Sequence, residues 1–356
     1  MKPLSDAVLA HLRRVTDWPE PEGTRYRIVE RLASGGMGTI YLAEDLNLGR
    51  QVAFKMLNDL DSSPEAAERM LREARIIARL EHPGIVPVHE VGRLGDSRIF
   101  YVMKLVRGSR LDQYLAADRS LSERLGIFER ICEAVAFAHA HGVIHRDLKP
   151  ENVMVGPFGE VLVMDWGTAR VLREPQAPQG IPLPLLTRPP ASSRLTLHGT
   201  VIGTPAYMAP EQVQGRVEEV DERSDVYALG AILAFLLAGR APGGKTPSAL
   251  TSGAATPPRQ AGGERAISLP LTEASIPRRL EAIYLKAMQA ERSQRYPGVK
   301  QLADDVASFR AGLAVTAYRE GLLERAARIA TKYRAALLLI LAYLVMRMAL
   351  LLFLGR

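Results

Sequence analysis

Asp147, Lys149 and Asn152 stand close together in one short stretch, and a second carboxylate, Asp165, follows thirteen residues after Asn152. These residue types suit metal-assisted phosphoryl transfer. Asp147 can accept the proton of an attacking hydroxyl and aim its oxygen at phosphorus, while Lys149 can neutralise charge on the transferred group. Asn152 and Asp165 present hard oxygen ligands, which suit Mg²⁺ held between protein and nucleotide phosphates better than a soft metal. A polar turn with solvated charges is the bland alternative. It is weakened by eight ordered positions, His145 to Asn152, followed by Asp165-Trp166-Gly167.

Several elements must position these groups. Leu125, Phe128, Cys132, Val135 and His139 recur at helical spacing behind Ser122, a candidate cap, and this helix delivers the chain to His145. From Asn152 to Met164 the pattern gives two short strands about Gly156-Pro157-Phe158-Gly159, returning Asp165 to the side of Asn152. Upstream, Tyr26 to Glu30 alternates as a strand, and Ala33-Ser34-Gly35-Gly36-Met37-Gly38 leads into Thr39 to Ala43. Glycines there let backbone N–H groups approach phosphate oxygens. Val52-Ala53-Phe54-Lys55 is a strand ending in a lysine. A helix from about Pro64 to Leu80 carries Glu73 among Met70, Ala74, Ile77 and Leu80, and strands follow around Val86 to Val91 and Ile99 to Met103. Residues 174–193, with six prolines, read as a loop, and 241–275, rich in small and turn residues, as a surface insertion.

In this order the motifs resemble the protein kinases, over residues 25 to about 311. His145-Arg146-Asp147-Leu148-Lys149-Pro150-Glu151-Asn152 looks like the catalytic loop, and Asp165-Trp166-Gly167 like the metal motif, with Trp166 where the family usually has Phe. The resemblance implies an α+β, bilobal fold: a small β-rich N-lobe over 25–103 and a large helical C-lobe over 107–311. It implies ATP and Mg²⁺ as cofactors, with Asn152 and Asp165 on the metal. Ala33, Gly35, Gly36 and Gly38 would form the glycine-rich loop, Ala33 replacing its first glycine, and Ile40 and Ala53 would flank the nucleotide. Lys55 would bridge the phosphates to Glu73. Met103 would stand behind the adenine, Lys104 to Val106 would form the hinge that pairs with the base, and Asp112 would meet the ribose.

Gly203-Thr204-Pro205-Ala206-Tyr207-Met208-Ala209-Pro210-Glu211 resembles the close of a serine/threonine-kinase activation segment, in which Thr204 would tie Asp147 and Lys149 together. The resemblance also implies that His145 packs beneath the metal motif, that Arg146 senses a phosphate, that Asp225 binds the catalytic-loop backbone, and that Arg295 pairs with Glu211. Thr196 and Thr200 fall where related kinases are phosphorylated, so autophosphorylation is expected. The pattern is most similar to the bacterial, eukaryotic-like enzymes, whose substrates are protein Ser and Thr hydroxyls.

The 356 residues, 47% hydrophobic and 24% charged, can bury a sizeable core, and the one cysteine, Cys132, excludes an internal disulfide. The formal charge of +7 is concentrated in residues 310–356, where Arg310, Arg319, Arg325, Arg328, Lys332, Arg334, Arg347 and Arg356 face only Glu320 and Glu324. The near-neutral remainder disfavours nucleic acid as partner. Ala335 to Leu354 is apolar but for Arg347 and long enough to cross a bilayer. This predicts a basic juxtamembrane segment over 312–334, one C-terminal transmembrane helix over 335–354, and, by the positive-inside rule, a kinase domain on the cytoplasmic side of the cell membrane. A lipid bilayer and a second copy of the chain are expected partners. No secretory signal is read in residues 1–24, an amphipathic extension, and almost nothing would protrude beyond the span. The rival class is a non-catalytic membrane scaffold, for which Ala33 and Trp166 are the support.

Overall fold

The protein is described from a computed structural model over residues 21, 23–35, 38–58, 63–115, 119–172, 205–239, 276–332 and 334–354. The expectations for residues 1–20, Gly36, residues 174–193, Thr196, Thr200, Thr204 and residues 241–275 concern parts of the chain outside this set.

Alternation and glycine turns in the first hundred residues produce β1 (Tyr26–Gly35), β2 (Gly38–Asp45), β3 (Arg50–Met56), β4 (Val88–Arg93) and β5 (Ile99–Lys104). They form one antiparallel sheet in the order β1-β2-β3-β5-β4. Its register sets the upper half of the site. Lys55 is opposite Ile40 on one side and Tyr101 on the other, and Ala53 is opposite Leu42 and Met103. Side chains alternate along strands, so Ile40, Ala53, Lys55, Tyr101 and Met103 share one face. The other face builds its own small core, where Phe54 and Phe100 stack at 4.7 Å beside Tyr26.

Between β3 and β4 lies α1 (Pro64–Ala78). Ser63 caps it by accepting from the Ala66 N–H at 3.1 Å, and Pro64 at its first position has no N–H to satisfy. Met70, Glu73, Ala74 and Ile77 are buried on one stripe, so a carboxylate is carried into the lobe by its apolar neighbours.

The second lobe contains β6 (Ser109–Arg110), α2 (Leu111–Tyr114), α3 (Leu121–Ala140), β7 (Val143–Ile144), β8 (Val153–Val155), β9 (Val161–Val163) and β10 (Arg170–Val171). After these come α4 (Pro210–Val213), α5 (Glu222–Ala238), α6 (Arg278–Ala287) and α7 (Val299–Arg310). The cap of α3 is Ser120, not Ser122 as the sequence reading had it. Ser120 accepts from the Glu123 N–H at 3.3 Å and Glu123 accepts from the Ser120 N–H at 2.9 Å. This reciprocal box needs an acid three residues on, where Ser122 has Leu125. Helix α5 is buried on nearly every side and forms the lobe's axis. Cys132, on α3, is a small buried core residue whose thiol is pushed well up by burial.

The packed body continues past α7. Asp305 accepts from Tyr296 Oη at 2.7 Å, Thr316 N at 2.7 Å and Ala317 N at 3.1 Å, and Val315 is buried. Two helices follow, α8 (Leu322–Lys332) and α9 (Arg334–Leu354). Arg328 of α8 donates to both oxygens of Glu320 at 2.9 Å, and Glu320 also lies 3.4 Å from Arg279 of α6, so α8 is tied to the lobe. In α9 the side chains from Leu338 to Leu350 are exposed. Among the described residues no helix is long and apolar enough to cross a membrane, so the transmembrane helix expected over 335–354 is not shown by the fold.

One buried ion pair holds the Ala209-Pro210-Glu211 stretch to the lobe. Glu211 of α4 takes Arg295 bidentately at 2.8 and 2.9 Å and accepts from Ser224 at 2.6 Å, with both members wholly buried. The remaining Arg295 donors reach the carbonyls of Gln289, Arg223 and Ala290. A buried pair is costly to break one-sidedly, because the partner keeps an uncompensated charge. Arg295→Ala is therefore expected to lower unfolding free energy by about 3–5 kcal/mol in urea titrations. Arg295→Lys, which keeps the charge without the fork, should lose distinctly less.

Candidate active site

The catalytic loop rests on a buried carboxylate from another element. Asp225, in the first turn of α5, accepts from His145 N at 2.8 Å and Arg146 N at 2.9 Å, and His139 Nε2 of α3 lies 2.8 Å from it. These bonds hold Arg146 at φ 72°, a region that costs energy for a residue with a Cβ unless its surroundings fix it. Burial alone would raise the Asp225 pKa, but the bonds from His139 and the His145 N–H prevail and keep it below the ordinary aspartate range. The expected backbone role of Asp225 is thus what the structure shows.

On this base the polar groups converge. Lys149 Nζ donates to Asp147 Oδ2 at 2.7 Å, and Asn152 Nδ2 donates to the same oxygen at 3.1 Å and to the Asp147 carbonyl at 2.8 Å. Asp147 and Lys149 are half-buried, so both remain open to a ligand. The β8–β9 hairpin forms as expected, and Met164 N donates to Asn152 O at 2.8 Å, which brings Asp165 back beside the loop. Asp165 is exposed and held at φ 57°. Trp166 is fully buried, its ring 4.6 Å from that of His145, and its indole N–H donates to Val163 O at 3.3 Å. The extra N–H that separates Trp from Phe is therefore satisfied inside the hairpin. His145 itself accepts from the Asp147 N–H at 3.3 Å and bonds the Met164 carbonyl through Nε2 at 2.9 Å, tying the loop to the metal motif.

The donor set fits a hard cation. With the Asn152 nitrogen committed to Asp147, its amide oxygen is the atom left for a metal, and Asp165 adds an exposed carboxylate. Among the described residues no group of three or more His, Cys, Asp or Glu side chains is gathered to hold a metal. Two protein ligands are what a Mg²⁺ ion shared with phosphates and water requires.

The upper wall comes from the first lobe. Lys55 Nζ contacts Glu73 Oε1 and Oε2 at 2.8 and 2.9 Å, and both residues are buried. Ala53 and Met103 line the same sheet face, with Ile40 packed against them. Gly38 has φ 119°, and a Cβ there would stand 2.3 Å from the Met56 carbonyl, so this glycine is required by strand packing. Among the described residues nothing crowds Gly35, whereas Ala33 is an exposed strand residue opposite Ile40. The turn is tied down by Asn58, which donates to Gly35 O at 3.3 Å and accepts from Thr39 at 2.6 Å.

Two expectations are narrowed. The Lys104 N–H is used by Pro87 O at 3.1 Å, so a base would pair with other groups of the Lys104–Val106 hinge. Asp112 is held by Arg110 at 2.6 and 3.1 Å, and would have to share that guanidinium with a ribose. The sequence reading missed Asn58, for which no local signal exists, and Tyr101. The latter was legible in principle, since it alternates with Met103 toward the same face. Nearby, Arg146 has its pKa lowered, first by burial and then by Arg170, and its Nε is buried without a hydrogen-bond partner among the described residues.

A folded-state pKa below the unfolded one means that the stabilisation from Asp225 is full above the ordinary value, about 3.9, and is lost as pH falls through the depressed value. Asp225→Asn should accordingly be less stable than the parent by about 2 kcal/mol or more at neutral pH. The gap should close as pH falls in acid-denaturation curves, and a pH-independent gap would contradict the assignment.

A protein kinase domain profile matches residues 26–279. The serine/threonine-protein kinase PknD of Chlamydia muridarum is 35% identical over 305 residues, covering 78% of this chain and 31% of that protein. PknD of Protochlamydia amoebophila is 34% identical over 307 residues, covering 81% and 30%. The chain thus spans about a third of the length of these curated relatives. The crystal structure of the M. tuberculosis PknI kinase domain superimposes with a TM-score of 0.56 at 25% identity, covering 83% of this chain and all of that one. Matched in profile, relatives and fold, with Asp147, Lys149 and Asn152 bonded to one another and Lys55 paired with Glu73, this chain belongs to the protein kinase family.

Proposed function

We propose that this protein transfers the γ-phosphoryl group of ATP to Ser or Thr hydroxyls of proteins, including its own activation segment, and that it does so anchored to a membrane by α9. The observation that carries the catalytic reading is that Asp147 is already oriented by Lys149 and Asn152 while the Lys55–Glu73 pair is closed. A scaffold that had lost its chemistry would have no need to keep both. The two departures from the family pattern are also absorbed: Trp166 is packed and bonded, and Ala33 sits on an exposed strand.

In the proposed reaction a substrate hydroxyl donates a hydrogen bond to Asp147, which aims the oxygen along the line of attack and accepts its proton as the bond to phosphorus forms. Lys149, 2.7 Å from that carboxylate, is placed to offset charge on the group in transit. Lys55 binds the phosphates from above, and Glu73 keeps its ammonium from swinging away. Asn152 and Asp165 would hold Mg²⁺, whose contribution when bound is to neutralise phosphate charge. Ser/Thr selectivity is supported by Lys149 and by the likeness to relatives named as serine/threonine kinases. Arg146, flanked by Arg170, supplies the cations that a phosphorylated activation segment would seek.

Membrane anchoring rests on α9. Among the described residues no helix is long and apolar enough to cross a membrane, so the proposal rests on the sequence of the whole stretch: its 21 residues would measure about 31 Å at ~1.5 Å per residue, beside a hydrocarbon core of ~30 Å. From Leu338 to Leu350 the exposed side chains are apolar on every side except at Arg347 and Tyr343, an arrangement water does not favour. Arg347 costs roughly 2.5–3.5 kcal/mol at a helix centre, less if it snorkels toward the near interface. The basic residues preceding α9 would keep the kinase lobes on the cytoplasmic side, where ATP is.

Asp147→Asn is expected to cut turnover by about 10²–10⁴-fold while leaving ATP affinity nearly unchanged. Asp165→Ala and Lys55→Met should instead weaken MgATP binding itself, read by nucleotide titration beside radiolabel transfer. Normal turnover in Asp147→Asn would reject the assignment.

For the membrane, full-length protein should stay with the pellet when cell membranes are extracted with alkaline carbonate. A version ending at Lys332, which keeps Glu320–Arg328 intact, should be released. Release of both would reject the anchor.

A further inference from the structure

The ion pair between Lys55 and Glu73 has a third member. Tyr101, directly opposite Lys55 in the β3–β5 ladder, donates its hydroxyl to Glu73 Oε1 at 2.8 Å. Its ring centroid lies 5.4 Å from Lys55 Nζ, so the ammonium sits near an aromatic face while pairing with the carboxylate. All three residues are buried, and the hydroxyl contact is made from an interior strand of the sheet.

We propose that Tyr101 is a positioning residue: its hydroxyl fixes the Glu73 carboxylate, and thereby holds α1 against the sheet with Lys55 extended before nucleotide arrives. This rests on the kinase reading of the same cleft. The physical need is plain from the partners. A glutamate on a helix has three rotatable bonds, and a lysine has four, so a pair made of these alone can leave its geometry at little cost. A tyrosine has two, and here its strand is bonded on both sides by β3 and β4. One donor on such a base removes the freedom that the flexible partners cannot remove from each other. Glu73 Oε1 is thereby held by two donors, Lys55 and Tyr101, and Oε2 by Lys55. Burial, together with the charges of Glu73 and Asp165, pushes the phenol pKa well above its usual value, so the hydroxyl stays a donor across the working pH range.

Tyr101 is not a catalytic residue, because it touches Glu73 and Lys55 rather than the reacting atoms. Its loss should therefore reduce the fraction of molecules ready to receive MgATP, and leave the chemical step alone once nucleotide has drawn Lys55 into place. When only a fraction of the protein is competent, apparent affinity falls by that fraction.

The variant is Tyr101→Phe, which keeps the ring and its packing and removes one oxygen. The expected result is a KM for MgATP raised about three- to tenfold, the size of one hydrogen bond to a charged group after partial compensation, with kcat changed less than twofold. Amide exchange over Pro64–Ala78 should speed up in the nucleotide-free variant. In a Glu73→Gln background the same substitution should add little, since the acceptor charge it serves is already gone.

An unchanged KM with unchanged exchange of α1 would overturn the proposal. So would an equal loss of kcat and thermal stability with KM untouched, which marks a merely structural tyrosine. If the wild-type chain showed no phosphoryl transfer at all, the kinase reading would fail. The exchange experiment and MgATP titration would still decide whether Tyr101 holds the pair.

Discussion

A single buried carboxylate, Asp225, carries the geometry on which this site depends. Two consecutive backbone N–H groups of the catalytic loop, at His145 and Arg146, end on its two oxygens, and His139 of α3 meets the oxygen that His145 N–H also reaches. A loop placed on a helix in this way inherits the helix's rigidity. The arrangement also explains how Arg146 is kept at a positive φ while the loop remains tight enough for Lys149 and Asn152 to reach the same oxygen of Asp147. The charge is tolerated in the interior because two backbone N–H groups and the His139 ring meet its oxygens.

The first lobe solves a related problem by a different means. Its sheet presents Ile40, Ala53, Lys55, Tyr101 and Met103 on one face through strand register alone, while Phe54 and Phe100 seal the opposite face. Glu73 reaches this face because the apolar stripe of α1 docks there, with Met70, Ala74 and Ile77 buried around it. The two lobes meet where Val163 N donates to Gly84 O at 2.8 Å, beside the parallel bridge between Ile85 and Val163. The metal motif begins two residues beyond that bridge, so the same hairpin that positions Asp165 also touches the upper lobe.

Beyond the lobes, the chain is not released at once. Asp305 gathers Thr316 and Ala317, and Glu320 links Arg328 of α8 to Arg279 of α6. Whatever α9 engages is therefore joined to the kinase body through a bonded segment, rather than through a free tether.

The order of the motifs, the strands and helices that bear them, the β8–β9 return and the pairing of Arg295 with Glu211 were legible in the sequence. Each is written in residue types whose chemistry, turn preference or periodicity acts over a few positions, or in a resemblance built from them. Spacing alone misplaced the α3 cap at Ser122, because the box at Ser120 is a reciprocal bond and not a residue type. The satisfaction of the Trp166 indole by Val163, the tie of Asn58 to the glycine turn, the commitment of Lys104 N to Pro87 and the hydroxyl of Tyr101 on Glu73 belong to the tertiary structure. They join groups whose partners are chosen by strand register and helix docking. A sequence fixes which side chains can donate and accept, whereas only packing decides which of them are brought within 3 Å of each other and sealed from water.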